Sequence, residues 1–418
     1  MTGSKRTSGQ DWAVLLLTLV SFTNYVDRMV LNALSQPIKQ EFALSDTELG
    51  LLTGFAFVLL YAFTALPVAS LADRTSKGAV LSCCLAVWSI ATAACGLTKS
   101  YTQLLIARLA VGIGESGCQP IGYALIADYF PNDKRATPTG WFVVGNSLGV
   151  TAGFMLGGWL GQAHGWRTAF VIVGLPGLLL AAVLAIFTHL HPRPTASGSG
   201  PASPGLLGGV SGLLRNRTFR WVLAVNGVYS FLVFGPIAWL TPFFMRSHGL
   251  PLRSAALWTG LAIGFGMAAG MVTGGLAADR LSRRSPAAPQ LFSMAAALAT
   301  GAAYLVVLGL ADVRWAFAAA FIAAWIGALA TPANIVAVQD FCDPTLRAVA
   351  ASLATLAISL VGVGLSPLVI GMISDALTPT FGAEALRYAM MLSLIMSLVT
   401  AALNYRLSRL LAPQRTAG

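Results

Sequence analysis

Four ionisable residues stand inside apolar stretches of this chain. Asn24-Tyr25-Val26-Asp27-Arg28 interrupts a stretch that begins at Trp12, and Arg108 and Glu115 lie in another that begins at Tyr101. Arg108 and Glu115 are separated by two helical turns, which puts them on one helix face about 10 Å apart. Two carboxylates and two guanidiniums in low dielectric can couple an anion to a proton. Burial disfavours a charged carboxylate and a neighbouring guanidinium favours it, so an arginine that moves between carboxylate and anionic ligand changes the proton affinity. In this reading Asp27 and Glu115 carry the proton, while Arg28 and Arg108 meet the anion with Asn24 and Tyr25 beside them. The same residues also fit a static salt-bridge network that merely joins two helices. Mutation would then damage folding and leave proton coupling untouched.

Such residues need elements that hold them away from bulk water. The chain has 418 residues, 56% apolar and 10% charged, whereas soluble domains are about 25% charged. Segments of roughly 20 residues, enough to cross a core of about 30 Å, fall at 12–34, 47–71, 79–98, 101–127, 138–161 and 167–188. A second set falls at 218–245, 254–278, 288–310, 314–338, 347–374 and 384–405. An ionisable side chain inside a span faces a cavity or an internal partner and marks a pathway by default. By helical rise, Asp27 lies about 22 Å from the inner end of its span and Arg108 about 10 Å below the outer end of its own, which is similar depth in a core of about 30 Å.

The chain divides into an N-terminus (1–11), a first six-helix bundle (12–188), a Pro-, Gly- and Ser-rich linker (189–217), a second bundle (218–405) and a tail (406–418). With the N-terminus inside, cytoplasmic segments hold 17 of the 26 basic residues and external loops hold 7, as the positive-inside rule requires. Both ends are then cytoplasmic. The stretch after Lys5 and Arg6 is too long for a signal-peptide core and lacks a cleavage site, so it reads as the first span. Asp73-Arg74 and Lys77 follow the second span, and Asp279-Arg280 follow the eighth, 206 residues later. This internal echo implies a parallel repeat of two six-helix units. Asp73, Arg74, Lys77, Asp279 and Arg280 then form a cytoplasmic gate, their charges meeting helix ends, carboxylates or anionic lipid.

The second half carries almost no charge within its spans. Asn226, Tyr229, Phe234 and Trp239 on the seventh span and Asn334 on the tenth are its candidate substrate contacts, an apolar and aromatic side that suits an amphipathic anion. The fifth span carries Gly145, Gly149, Gly153 and Gly157, a ridge on which another span can pack closely. Pro236 and Pro367 are expected to kink their spans.

Several motif matches are discounted. Gly112-Ile-Gly114-Glu115-Ser-Gly117 has dinucleotide-fingerprint spacing but no preceding strand, so helix packing explains it better. Ser116 lacks a hydrolase-elbow context. The histidines show no ligand spacing, with His189 and His191 expected in a solvated loop, and the cysteines sit mostly in apolar segments as packing residues. No enzyme, cofactor, metal or nucleic-acid partner is expected. The net charge of +11 is spread over short loops and does not form a patch.

The stretches Asn24-Tyr25-Val-Asp27-Arg28, Leu44-Ser-Asp46-Thr-Glu-Leu-Gly50-Leu-Leu-Thr-Gly54, Gly112-Ile-Gly114-Glu115, Trp239-Leu-Thr-Pro242 and Gly362 to Asp375 resemble the spinster-like branch of the major facilitator superfamily. Two features depart from superfamily patterns: Ala69 replaces a glycine after span two, and Phe154 replaces the proline of the fifth-span motif. The resemblance implies an all-α membrane protein of twelve transmembrane helices in two pseudo-symmetric bundles, monomeric, in a bacterial inner membrane. It also implies proton-coupled transport by alternating access, with sphingosine-1-phosphate or a lysophospholipid as the substrate type. A small organic acid such as a sugar acid, or drug-type efflux, is the alternative. Protons, membrane lipids and an amphipathic or organic-anion substrate are the expected partners.

Overall fold

The computed structural model describes residues 8–131, 134–191, 206–285, 287–342 and 346–411. Among them there are helices and no strand. This is what the solvent dictates, since in a bilayer core every backbone N–H and C=O must be satisfied within the segment.

The first half contains α1 (Ser8–Phe42), α2 (Asp46–Gly50), a π-helical stretch at Leu51–Phe55, α3 (Ala56–Arg74), α4 (Lys77–Cys95), α5 (Tyr101–Glu115), α6 (Cys118–Tyr129) and α7 (Ala136–Leu190). Polar side chains set several starts. Ser45 and Glu48 form a reciprocal capping box at α2, while Ser76 and Ser100 accept from Ala79 N–H and Gln103 N–H at α4 and α5, satisfying amide groups that a helix start leaves orphaned. The 55-residue α7 is two spans merged across Gly165, whose φ of 81° breaks the helix. Glycine occupies that position because other side chains resist the left-handed region.

The second half contains α8 (Leu206–Arg215), α9 (Arg217–Ser247), α10 (Leu252–Ser282), α11 (Ala288–Gly309), α12 (Val313–Leu329), α13 (Thr331–Asp340), α14 (Arg347–Ala357), a π-helical stretch at Ile358–Leu365, α15 (Ser366–Phe381), a 3-10 turn at Gly382–Glu384, α16 (Ala385–Ser393) and α17 (Ile395–Leu411). Nine helical runs among the described residues are long and apolar enough to cross a membrane. Counting α7 and the run Val349–Leu411 as two spans each, and α5 with α6 as one, agrees with the twelve expected from sequence.

The structure refines several sequence boundaries. The fourth span is broken at Ser116-Gly117 and the tenth at Ala330, where Pro332 begins the next helix. Pro367 likewise opens α15, directly after the π stretch. Much of the expected linker 189–217 lies outside the described residues. Its described ends are helical: His189 is in the last turn of α7, and α8 fills 206–215. His189 is therefore no loop residue, and His191 caps α7 with its ring stacked on Phe187.

By contacts the chain forms two units. The first comprises 1–42, 56–199 and 251–260, and the second comprises 43–55, 200–250 and 261–418. Within the first unit, the glycine ridge of α7 lies against α1. A Cβ at Gly149 would fall 2.5 Å from the Phe22 carbonyl oxygen, and one at Gly153 would fall 2.7 Å from Met29 Cβ. Within the second unit, Gly266 and Gly270 of α10 meet α12 in the same manner. Helices separated by glycine approach closely enough for backbone dispersion contacts, which drive packing where no hydrophobic effect operates.

Candidate functional site

The charged residues of the first unit are held by small residues behind them. α1 carries Asn24, Tyr25, Asp27 and Arg28, and the α7 ridge fixes its position. α5 carries Arg108 and Glu115. Gly112 faces the Phe57 carbonyl, where a Cβ would approach to 2.6 Å, and Gly114 faces the Trp88 backbone nitrogen, also at 2.6 Å. The glycines that imitate a nucleotide fingerprint thus seat α5 against α3 and α4.

Asp27 and Glu115 are fully buried, and Arg108 and Asn24 are each 1% exposed. Arg28 donates to Glu115 Oε2 through Nη2 at 2.7 Å and Nε at 3.1 Å. Its guanidinium is boxed by aromatic rings, with Phe57 at 4.7 Å, Tyr25 at 5.2 Å and Tyr61 at 5.7 Å from their centroids. Arg108 lies 5.5 Å from the Phe57 centroid, so one ring serves two cations. Ring quadrupoles attract cations without neutralising them.

The pairing leaves a remainder. Both oxygens of Asp27, both side-chain polar atoms of Asn24, Glu115 Oε1, and Nε and Nη1 of Arg108 are buried without a hydrogen-bond partner among the described residues. Asp27 interacts repulsively with Glu115, attractively with Arg108, and also with the Trp88 side chain. Native interiors rarely leave polar atoms so exposed to cost unless a proton, water or ligand completes them. The arrangement can therefore take up a proton on a carboxylate and offer guanidinium N–H groups to an anion.

The sequence-derived contacts of the second half are placed differently. Asn226 Nδ2 donates to the carbonyls of Val222 at 2.9 Å and Asn334 at 3.4 Å, and Asn334 Oδ1 accepts from Ser293 at 3.1 Å. Tyr229 donates to the Gly327 carbonyl at 2.5 Å, and Trp239 to the Pro367 carbonyl at 3.1 Å. Asn226, Tyr229, Trp239 and Asn334 are buried, their bonds made within the unit, whereas Phe234 keeps partial exposure.

Of the gate residues, Lys77 pairs with Asp128 at the end of α6, at 2.7 Å. Asp73, Arg74, Asp279 and Arg280 are exposed and make no ion pair among the described residues. Sequence reading missed Asp128, an acid at a span end opposite a basic turn, and it missed Phe57 and Tyr61, which stand one helical turn apart but look like any apolar span residues. It also missed a network at the head of α2. Arg246 holds Asp46 with two bonds of 2.8 Å, Ser374 donates to Asp46 at 2.6 Å, and Asp375 accepts from the backbone N–H groups of Asp46 and Thr47 at 2.8 Å each. Asp375 thereby caps a helix start from across the unit, a favourable place for a carboxylate. Cys83, Cys84, Cys95 and Cys118 carry free thiols, and no acid, histidine or cysteine cluster suited to a metal occurs among the described residues.

Comparison with known proteins gives this arrangement a context. A solved bacterial homolog to the human lysosomal transporter Spinster, in an inward-facing and unoccupied conformation, superposes with a TM-score of 0.88 at 28% identity, covering 99% of this chain and 100% of that one. An MFS-type efflux pump of Mycolicibacterium smegmatis is 32% identical over 95% of this chain and 92% of its own. Protein spinster homolog 1 of Mus musculus is 30% identical over 91% of this chain and 77% of its own. The model of the Major Facilitator Superfamily matches residues 17–367. The chain is a multi-pass membrane transporter, not an enzyme, and it belongs to the Major Facilitator Superfamily as a spinster-like member.

Proposed function

We propose that this protein is a proton-coupled secondary transporter working by alternating access on an amphipathic anion of lysophospholipid or sphingosine-1-phosphate type. The observation that carries this reading is the buried Arg28–Glu115 pair beside an unpartnered Asp27 and the uncommitted N–H groups of Arg108. Arg28 cannot serve Glu115 and a substrate anion at full strength together. Protonation of Glu115 weakens its hold and frees the guanidinium, so proton and anion bind in the same step and travel the same way. Asp27 holds the second proton-binding position. Asn24, Tyr25, Arg28 and Arg108 meet the anionic group. On the second half Phe234 offers apolar surface to the substrate's chain, while Asn226, Tyr229, Trp239 and Asn334 shape the interior that supports it. Asp73, Arg74, Lys77, Asp279 and Arg280 act as the cytoplasmic gate. The protein acts as a monomer in a bacterial inner membrane with both termini in the cytoplasm.

Drug-type efflux is a second reading, favoured by the efflux-pump relative of 32% identity. Export against a proton gradient requires proton and substrate to compete, the reverse of the linkage above. The deciding experiment measures substrate-evoked proton flux in proteoliposomes with a lumenal pH dye, comparing a lysophospholipid with a sugar acid and including Glu115→Gln and protein-free vesicles. Flux evoked by the lysolipid alone, lost in the variant, with affinity that tightens as pH falls, supports the proposal. Flux with the sugar acid alone moves the protein to small organic acids. Affinity that weakens on acidification supports efflux. A Glu115→Gln protein that still drives uphill, proton-dependent transport removes Glu115 from the proton role.

A further inference from the structure

One face of α4 is uncovered by the rest of the first unit. Ala79, Val80, Cys83 and Val87 recur at helical spacing along it, and with Leu71 of α3 and Ile113 of α5 they line a cleft of about 340 Å³ whose lining presents no polar surface. Val87 is ten residues beyond Lys77, about 15 Å along the helix and so near the middle of a core of about 30 Å. Ala79 also borders a second cleft, of about 620 Å³, which opens at the start of α4 and the end of α7 and includes Ser76, Thr188 and His189. The two clefts meet at Ala79. Polar groups lie at the membrane-face end and only apolar surface toward mid-membrane.

Of the basic residues near that end in sequence, Arg74 stands three residues after Leu71 of the first cleft and two before Ser76 of the second, though it lines neither itself. It is exposed and makes no ion pair among the described residues, whereas Lys77 is occupied by Asp128. A phosphate fits a guanidinium through paired N–H groups, and Ser76 and His189 line the second cleft with a hydroxyl and an imidazole. An apolar cleft of this size inside a hydrocarbon solvent fills with chain, since an empty one forfeits dispersion contacts along its walls.

We propose that this groove is a binding site for a resident membrane phospholipid, with one acyl chain laid along Ala79, Val80, Cys83 and Val87 and its phosphate at Arg74. It is separate from the charged site, although its inner end at Gly114 is one residue from Glu115. The lipid belongs to the leaflet on the side of the α3–α4 turn, the cytoplasmic one in the topology proposed above.

Photolabelling tests the site without any need for transport. The intact protein is placed in phosphatidylcholine vesicles containing a trace of phosphatidylglycerol with a diazirine in mid-chain, irradiated, and its labelled residues are located by mass spectrometry. A diacylglycerol bearing the same chain serves as the control that lacks phosphate. Labels concentrated on residues 79–87 and Ile113, at least tenfold above exposed apolar positions such as Leu179 and Leu398, are expected. They should fall about tenfold in Val87→Trp, which fills the cleft, in Ile113→Trp, and in Arg74→Gln. Labelling spread evenly over lipid-facing residues, unchanged in the filling variants, overturns the site. Equal labelling by the diacylglycerol overturns the role of Arg74 and with it the phospholipid as occupant. Gel filtration of each variant excludes misfolding as the cause of lost label, and Ile113→Trp keeps the test intact if Val87→Trp does not fold.

Discussion

Gly149→Ala should damage the site although residue 149 carries no functional group. Its new methyl would lie 2.5 Å from the Phe22 carbonyl oxygen and 2.8 Å from Tyr25 Cβ, where ordinary contact begins at 3.4 Å. The two helices must therefore part by about 0.9 Å, or α1 must tilt. Overpacking of this kind costs about 1–3 kcal/mol. It is partly offset by alanine's higher helix propensity, about 1 kcal/mol. Gly140, on the same helix, has nothing within 4 Å of its notional Cβ, so Gly140→Ala collects the propensity gain alone. The two variants should differ by about 1–3 kcal/mol, roughly 5- to 150-fold in the folded fraction. A shift of this size at Tyr25, three residues from Arg28, also disturbs the 2.7 Å bond from Arg28 to Glu115. The assay is reversible unfolding in mixed micelles, with proton flux in proteoliposomes alongside. If Gly149→Ala proves as stable as Gly140→Ala and transports normally, the ridge does not position the site and the reasoning fails.

Asp46→Asn removes the anionic acceptor of both Arg246 bonds and should lower stability by about 2–3 kcal/mol, below the full cost of an abandoned buried charge because the amide still accepts; thermal unfolding followed by tryptophan fluorescence checks it. Trp239→Phe loses the bond to the Pro367 carbonyl and should cost about 1 kcal/mol. Substrate affinity in the flux assay should stay within threefold, since the indole is committed to the interior. Phe57→Ala removes the ring beneath both guanidiniums, and flux should fall at least tenfold with the protein still folded by gel filtration. His248 lies outside the spans, where burial and the Arg387 guanidinium hold its imidazole below the ordinary histidine value. The folded state favours the neutral ring, so its contribution to stability is fully present above the ordinary value near 6.5 and is lost as pH falls through the lower folded value. Acidification in that window should destabilise the native protein, and His248→Gln should flatten the dependence in unfolding curves taken across it.

Much of the fold was legible because the bilayer imposes a coarse rule. Apolar stretches of sufficient length announce spans, whereas the break at Gly165 and the serine caps emerge only in the structure. Asp27, Arg28, Arg108 and Glu115 were legible for the same reason, since charge in such stretches is conspicuous. Their pairing was not, because spacing along α1 and α5 does not say which arginine faces which acid. Phe57 and Tyr61 were hidden by their surroundings, where one more aromatic in an apolar span carries no signal. Tyr229 and Trp239 illustrate the converse. Their aromatic surface made them candidate contacts in the sequence, which gave no sign that the hydroxyl and indole bond the Gly327 and Pro367 carbonyls. The network of Asp46, Arg246, Ser374 and Asp375 joins residues up to 329 positions apart in sequence, and no local pattern encodes such a meeting.

The π-helical stretch at Leu51–Phe55 acts as a one-residue phase shift in the second span. A π turn accommodates an inserted residue without ending the helix, and each residue turns the helix by about 100°. The residues before the insertion and those after it can thus present different faces, each set to its own neighbours. The contact boundary agrees, since 43–55 count with the second unit and 56 onward with the first. Gly54 sits within the shift, its notional Cβ 2.5 Å from the Val363 carbonyl in the companion π stretch. Deleting a single residue at Gly54 would restore plain α-helical phase and turn the Asp46 end away from Arg246. The span's reading frame, as much as its composition, specifies which partners it meets.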